Sequence, residues 1–248
     1  MDNYVSELAP GVLSIMLGGY TNPQIRAGIG SKFPVIYGTS FTKDAQGRIL
    51  VNENPSSSYY GMPMVGPLDV IGTAAPDFIL GGSTTFRWKK VSLSATFDWK
   101  SGGQMYHGTN GLMSYTYGVA KSSEDRTTPF IYPGFKANGQ PNDIQRGGTG
   151  DLKANYDLYA NTFGNIDEAF IYNNSFVKMR ELTLSYQLPK FKTVQLRVTG
   201  FARNILLWTE LPNFDPEATQ GNTNMSGAFE RFTTPATKNF GIGLNLEF

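Results

Sequence analysis

The chain has 248 residues, enough for one large β domain or two small ones, and a formal net charge of only +1 without a Lys/Arg cluster, which argues against an electrostatic nucleic-acid binder. It has no cysteine and a single histidine, His107, so disulfide frameworks, thiolate metal sites and multi-histidine centres are excluded. Glycine is frequent (28 residues), aromatics reach 13% and charged residues only 17%, against about 25% charged in typical soluble domains; that combination suits many tight turns and one surface that does not face water.

The N-terminal Met1-Asp2-Asn3-Tyr4 lacks the basic and apolar regions of a signal peptide, so an exported protein with this sequence is expected to be mature or a fragment. No apolar run approaches the length of a transmembrane helix. Strand-like stretches follow instead: a weak one over 12–19, another over 25–37 and a looser one over 78–88. From 91 to 100 the alternation is strict, with Val91, Leu93, Ala95, Phe97 and Trp99 opposing Ser92, Ser94, Thr96, Asp98 and Lys100. Residues 181–188 set Leu182, Leu184, Tyr186 and Leu188 against Glu181, Thr183, Ser185 and Gln187. A similar stretch spans 194–203, and the end of the chain alternates Phe240, Ile242, Leu244, Leu246 and Phe248 with Asn239, Gly241, Gly243, Asn245 and Glu247. Period two means one apolar face and one polar face. Six or seven strands of about ten residues fit the length of a tilted membrane strand.

The connections are of two kinds. Turns at Lys89-Lys90 and near Pro189 are short, whereas 38–76, 101–172 and 205–236 read as long loops. Short turns at one end and long loops at the other are the layout of outer-membrane barrels. A soluble sandwich also alternates, but long structureless connections are uncommon in compact domains. The expectation is an all-β, transmembrane antiparallel barrel segment with long extracellular loops. A secreted β-sandwich that binds glycans or serves adhesion is the alternative.

Several motifs carry a family resemblance. Phe176-Val177-Lys178-Met179-Arg180-Glu181-Leu182-Thr183-Leu184-Ser185-Tyr186-Gln187-Leu188-Pro189 is similar to a strand of SusC/RagA-type TonB-linked outer-membrane proteins. Arg203-Asn204, Leu207-Trp208 and Pro212-Asn213-Phe214-Asp215-Pro216-Glu217 resemble the stretch that follows it, and Pro76-Asp77-Phe78, Gly81-Gly82, Val91-Ser92-Leu93 and 98–103 resemble one that precedes it. Ala202, where the family often has Gly, and Lys90, where it has Asn, are mild departures. The resemblance implies that residues 1–248 are the C-terminal portion of a large plugged barrel, without the signal peptide, TonB box and plug. It implies energy-coupled import of an oligosaccharide or peptide. The implied partners are a SusD-like surface lipoprotein, the TonB–ExbB–ExbD system acting through the missing N-terminal part, the lipid bilayer and the outer-membrane assembly machinery, with no nucleic acid. A partial barrel leaves open edges that are costly in lipid, so a truncated product, a fragment or one chain of a split barrel is expected.

No enzyme is expected and no cofactor is implied. G-x-S-x-G is absent, and Gly28-Ile29-Gly30 lacks the third glycine of a dinucleotide loop. His107 reads as a solvated loop residue. Asp215-Pro216-Glu217 reads as a turn held by prolines in preference to a catalytic carboxylate pair, and 138–157 has oxygen ligands for calcium without EF-type spacing. Trp88, Trp99, Tyr186 and Phe248 suit an interfacial girdle. Loop aromatics suit either ligand stacking or loop packing; Tyr106, Tyr115 and Trp208 are the first candidates for substrate or partner contact. Phe240, Ile242, Leu244, Leu246 and Phe248 resemble the strand signal read by the assembly machinery.

Overall fold

The computed structural model describes residues 4–113, 126–212, 214–220 and 228–247. The chain divides into two compact units, one of 1–75, 104–172 and 219–233, the other of 76–103, 173–218 and 234–248.

The second unit is one antiparallel sheet. Its strands are β5 (Pro76–Trp88), β6 (Val91–Gly102), β11 (Phe176–Gln187), β12 (Gln195–Thr209) and β14 (Asn239–Glu247). They stand in the order β14-β12-β11-β6-β5. Lys89, with φ of 53°, turns the chain in two residues between β5 and β6. β11 and β12 are joined by a short connection in which Phe191 pairs with Val194. The chain enters β5, leaves β6, enters β11, leaves β12 and enters β14 at the opposite end. Short and long connections are therefore segregated, as the loop lengths predict.

β11 contains a bulge. Met179 pairs with Phe97 and Glu181 with Thr96, so Arg180 is an extra residue relative to β6. Val177 and Met179 thus share a face with Leu182, Leu184 and Tyr186 although their numbers differ in parity. Arg180 and Glu181, consecutive in sequence, both form ion pairs on the other face, with Asp98 and with Arg203. A bulge re-aims side chains in this way.

The first unit corrects the reading of its segments as loops. Residues 25–37, expected as one strand, form a hairpin of β2 (Gln24–Gly28) and β3 (Val35–Phe41), because Gly30, Ser31 and Pro34 reverse the chain. With β1 (Ser14–Gly19) and β4 (Val65–Thr73) they make a four-stranded sheet, β1-β2-β3-β4. Residues 101–172, expected as one long loop, contain β7 (Gln104–His107), β8 (Phe130–Ile131), β9 (Gln145–Arg146) and a run of helical turns from Ala154 to Phe170. β7 pairs in parallel with β13 (Phe229–Glu230), Phe229 opposite Tyr106, and is flanked on its other side by β10 (Ile171–Asn173).

Buried Ile25, Ile36, Ile71, Ala228 and Phe229 form one core of this unit, and Met62, Ala154 and Leu158 form another, with Tyr132, Tyr159 and Phe163 packed against it. The segments are held by their own apolar contacts, so they are a folded unit rather than free loops. Gly66 tests one close approach: a Cβ there would stand 2.6 Å from the carbonyl oxygen of Phe41. Backbone cannot give way as a side chain does, so Gly66→Ala should destabilise the β3–β4 hairpin by about 1–3 kcal/mol. Gly82→Ala, with nothing within 4 Å of the new atom, should be neutral. Hydrogen exchange across β3 and β4 checks this; equal protection in the two variants would refute the close-contact account.

Candidate functional site

Three features of the chain can carry function: a sheet face, an ionic cluster and a cleft. The sheet face is read directly from cross-strand register. Five apolar rows succeed one another along the strands of the second unit. They are Trp88-Val91-Tyr186-Val198-Leu244, Phe86-Leu93-Leu184-Gly200-Ile242, Thr84-Ala95-Leu182-Ala202-Phe240, Gly82-Phe97-Met179-Leu206 and Leu80-Trp99-Val177-Trp208. Phe86, Trp88, Trp208, Phe240, Ile242 and Leu244 are each more than half exposed. Large apolar residues in contiguous exposed rows mark a surface that meets protein or lipid rather than water.

Aromatics close the face at both ends, Trp88 and Tyr186 at the short-turn end, Trp99 and Trp208 at the other, with Phe78 edge-on to Trp99 at 4.9 Å. Eight residues separate Trp88 from Leu80, about 27 Å along a strand. At the ~40° tilt of outer-membrane strands this is about 20 Å of depth, close to their apolar band.

The opposite face is polar and internally bonded. Thr85 pairs with Ser94 at 2.9 Å, Ser83 with Thr96 at 3.1 Å and Ser185 with Thr199 at 2.9 Å. Arg203 Nε donates to Glu181 at 2.8 Å. The face ends in an ionic cluster. Lys178, buried on β11, places Nζ 2.7 Å from Glu217 and 3.5 Å from Asp215. Arg180 donates to Asp98 at 2.6 Å and also pairs with Glu217. Asp215 accepts the Glu217 N–H at 3.1 Å and the Ala236 N–H at 2.9 Å, which pins this connection beside the approach to β14. Burial raises the Glu217 carboxyl, but hydrogen bonds from Arg180 and Lys178 outweigh it and hold the group below the usual glutamate range. The Asp215-Pro216-Glu217 turn is thus a carboxylate pair matched to two cations of the preceding motif; a pair so neutralised is suited to holding chain in place.

Trp208, expected in a loop, lies within β12 on the apolar face and joins the aromatic border; β12 extends past Arg203 because a left-handed Asn204, φ 52°, accommodates the bulge. Tyr106 is in β7, its ring 5.7 Å from that of Phe229 and 6.4 Å from that of Phe170. Tyr115 and Phe248 lie outside the described residues. Phe240, Ile242, Leu244 and Leu246 share the exposed apolar face of β14. His107, expected to be solvated, is buried in β7 with Nε2 3.4 Å from Glu230. In 138–157, Asp143 pairs with Lys136, Asp151 with Arg146 and Asp157 with Lys153, so local bases occupy these carboxylates.

The first unit holds an open cleft of about 200 Å³, lined by Tyr20, Asn22, Tyr106, Asp167 and Arg231 over backbone at Gly108, Gly111 and Gly164. Only Tyr106 among these was singled out in the sequence.

A sheet with one aromatic-bordered apolar face, one polar face and all its long connections at one end has the surface pattern of transmembrane β-strands. Comparison with known proteins agrees. The chain is similar to TonB-dependent receptor P3 of Formosa agariphila, 25% identical over 191 residues, which is 72% of this chain and 17% of that protein. TonB-dependent receptor P26 of the same organism is 25% identical over 193 residues, 72% of this chain and 18% of the relative. The chain thus spans less than a fifth of the length of these curated relatives. Among solved structures, the RagAB peptide transporter matches 98% of the chain with a TM-score of 0.59 at 18% identity, over 25% of that chain. The RagAB peptide importer in its open-open state matches 99% with a TM-score of 0.55 at 20% identity, again over 25% of that chain. No family model matches the chain. The resemblance read from the motifs is borne out: the chain is similar in sequence to TonB-dependent receptors and has the fold of part of the RagAB transporter.

Proposed function

We propose that this chain forms part of the barrel wall of an outer-membrane, TonB-dependent nutrient importer. The five apolar rows face lipid, the polar face lines the lumen, and the long connections emerge outside the cell. The observation that carries this reading is the aromatic-bordered apolar face, whose depth suits a bilayer and whose exposure has no place on a water-soluble sheet. In the whole transporter, energy comes from the TonB–ExbB–ExbD system, and a SusD-like surface lipoprotein covers the outer mouth. The cargo is an oligosaccharide or a peptide. β14 supplies a strand of the kind that the assembly machinery reads, with Phe240, Ile242, Leu244 and Leu246 as its apolar side.

Membrane fractionation of cells expressing the protein tests the reading. The chain should sediment with outer membranes, resist alkaline carbonate, and enter solution only with detergent. A monomer that stays in solution without detergent and melts cooperatively would instead point to a secreted sandwich and overturn the importer assignment.

A further inference from the structure

The two short connections of the second unit are built alike. In each, an exposed aromatic is followed by a lysine with left-handed backbone: Trp88 by Lys89 at φ 53°, Phe191 by Lys192 at φ 51°. That conformation comes more easily to glycine or asparagine. In each, the lysine ammonium stands over the ring it follows, 5.1 Å from the Trp88 centroid and 5.8 Å from that of Phe191. Lys90 and Lys190 are exposed beside them. The Gln187 N–H donates to the Lys90 carbonyl at 2.8 Å, so the β5–β6 and β11–β12 hairpins lie side by side up to their turns. In the strand order the turn centres are two strand spacings apart, about 10 Å.

This end of the sheet is strongly basic. Over 87–92, 185–199 and 243–247, the cations Arg87, Lys89, Lys90, Lys190, Lys192 and Arg197 meet one acid, Glu247. Glu247 pairs with Gln195, on the polar face that also carries Arg197. Among the described residues none of these cations is ion-paired. The same end closes the apolar face: Trp88 and Tyr186 share its first row, and Phe191 lies beyond, bridged to Val194. Lysine stems can follow apolar surface while their ammonium groups reach outward. A partner of this edge must therefore be apolar on the sheet side of the rings and anionic past them. A soluble polyanion meets only the second demand. A phospholipid leaflet meets both, and its headgroup is complementary when it brings no cation of its own.

We propose that the two aromatic–lysine turns form a binding edge selective for anionic phospholipids of the periplasmic leaflet. Lys89, Lys90, Lys190 and Lys192 take the headgroup phosphates, and the acyl chains lie on the apolar rows. This rests on the importer reading for its membrane setting and goes beyond it in the headgroup selected. Trp88 and Phe191 hold their lysines at the border of the apolar face, so little freedom is lost when a headgroup arrives.

The test compares brominated phosphatidylglycerol with brominated phosphatidylcholine of the same acyl chains, in vesicles holding the intact protein at low ionic strength. Quenching of tryptophan fluorescence gives their relative association, with Trp88 beside the site. Phosphatidylglycerol should be preferred at least about fivefold, the worth of roughly one cation at a membrane surface. The preference should fall close to parity when Lys89→Gln, Lys90→Gln, Lys190→Gln and Lys192→Gln are combined, and it should persist when the same four become arginine. Equal association with the unaltered protein, or a preference that survives the four glutamines, would overturn the proposal. So would a preference abolished by millimolar inorganic phosphate at matched ionic strength, which would mark a free-anion site. Should the fourfold variant fail to assemble, the unaltered protein decides together with Lys190→Gln and Lys192→Gln alone, which should at least halve the preference. A protein that enters membranes yet shows no headgroup preference sinks this proposal and leaves the importer reading intact; one that stays out of membranes ends both.

Discussion

Arginine at Leu184 or Leu244 should abolish most assembled barrel, whereas arginine at Ser94 should leave assembly near its normal level. Leu184 stands in the second apolar row and Leu244 in the first. Ser94 pairs with Thr183 and Thr85 on the opposite face. A basic side chain on the lipid face costs about 2–4 kcal/mol near the midplane, falling toward the interfaces, while lumen positions accept charge. Leu184 is nearer mid-depth, so its variant should be the more severe. Heat-modifiable mobility and protease resistance of the intact protein in outer membranes measure assembled fraction. Similar losses at Leu184 and Ser94 would show that the rows do not face lipid.

Lys178→Met should open the connection around 211–218 without unfolding the sheet. Lys178 is 2% exposed and Asp215 is 7% exposed, so removing the cation leaves a buried carboxylate uncompensated. Breaking a buried pair in this way costs about 3–5 kcal/mol; the two N–H donors that Asp215 keeps put the effect near ~3 kcal/mol, roughly a hundredfold in the local opening equilibrium. Limited proteolysis of this segment should accelerate accordingly. Pairing Lys178→Met with Asp215→Asn should recover most of the loss, because both charges then leave together. Acid should mimic the lesion. The folded-state value of Glu217 is depressed, so its contribution is complete above the unfolded carboxylate pKa and disappears as pH falls through the lower folded value. Proteolysis rates that ignore both the substitution and the pH would show that the cluster does not hold the segment.

The sheet was legible in the sequence where alternation was uninterrupted, as in β6 and β14. It was misjudged where alternation broke for a physical reason. β11 starts at Phe176, well before the period-two stretch at Glu181, because the bulge at Arg180 changes the parity of Val177 and Met179. β12 runs on through Leu206, Leu207 and Trp208, an apolar run with no period of its own. In the first unit, strands such as β8 and β9 have two residues each, too few for any period to show. The equally short β13 is held by contacts such as that of Phe229 with Tyr106, 123 positions apart, which sequence order conceals. For the same reason the motifs disclosed Asp215 and Glu217 but not their pairing with Lys178 and Arg180. Tyr106 stood out as an aromatic, whereas Arg231 and Asp167 acquire meaning only from the cleft they share.

The extra residue at Arg180 also bears on how this strand can change over evolutionary time. Its two halves are out of phase, each committed to its own alternation. Gain or loss of a single residue within either half would turn that half over, carrying Lys178 or Thr183 onto the apolar face and Met179 or Leu184 onto the polar one. Exchanges that respect face should therefore cost less in β11 than insertions or deletions, because only the latter change register.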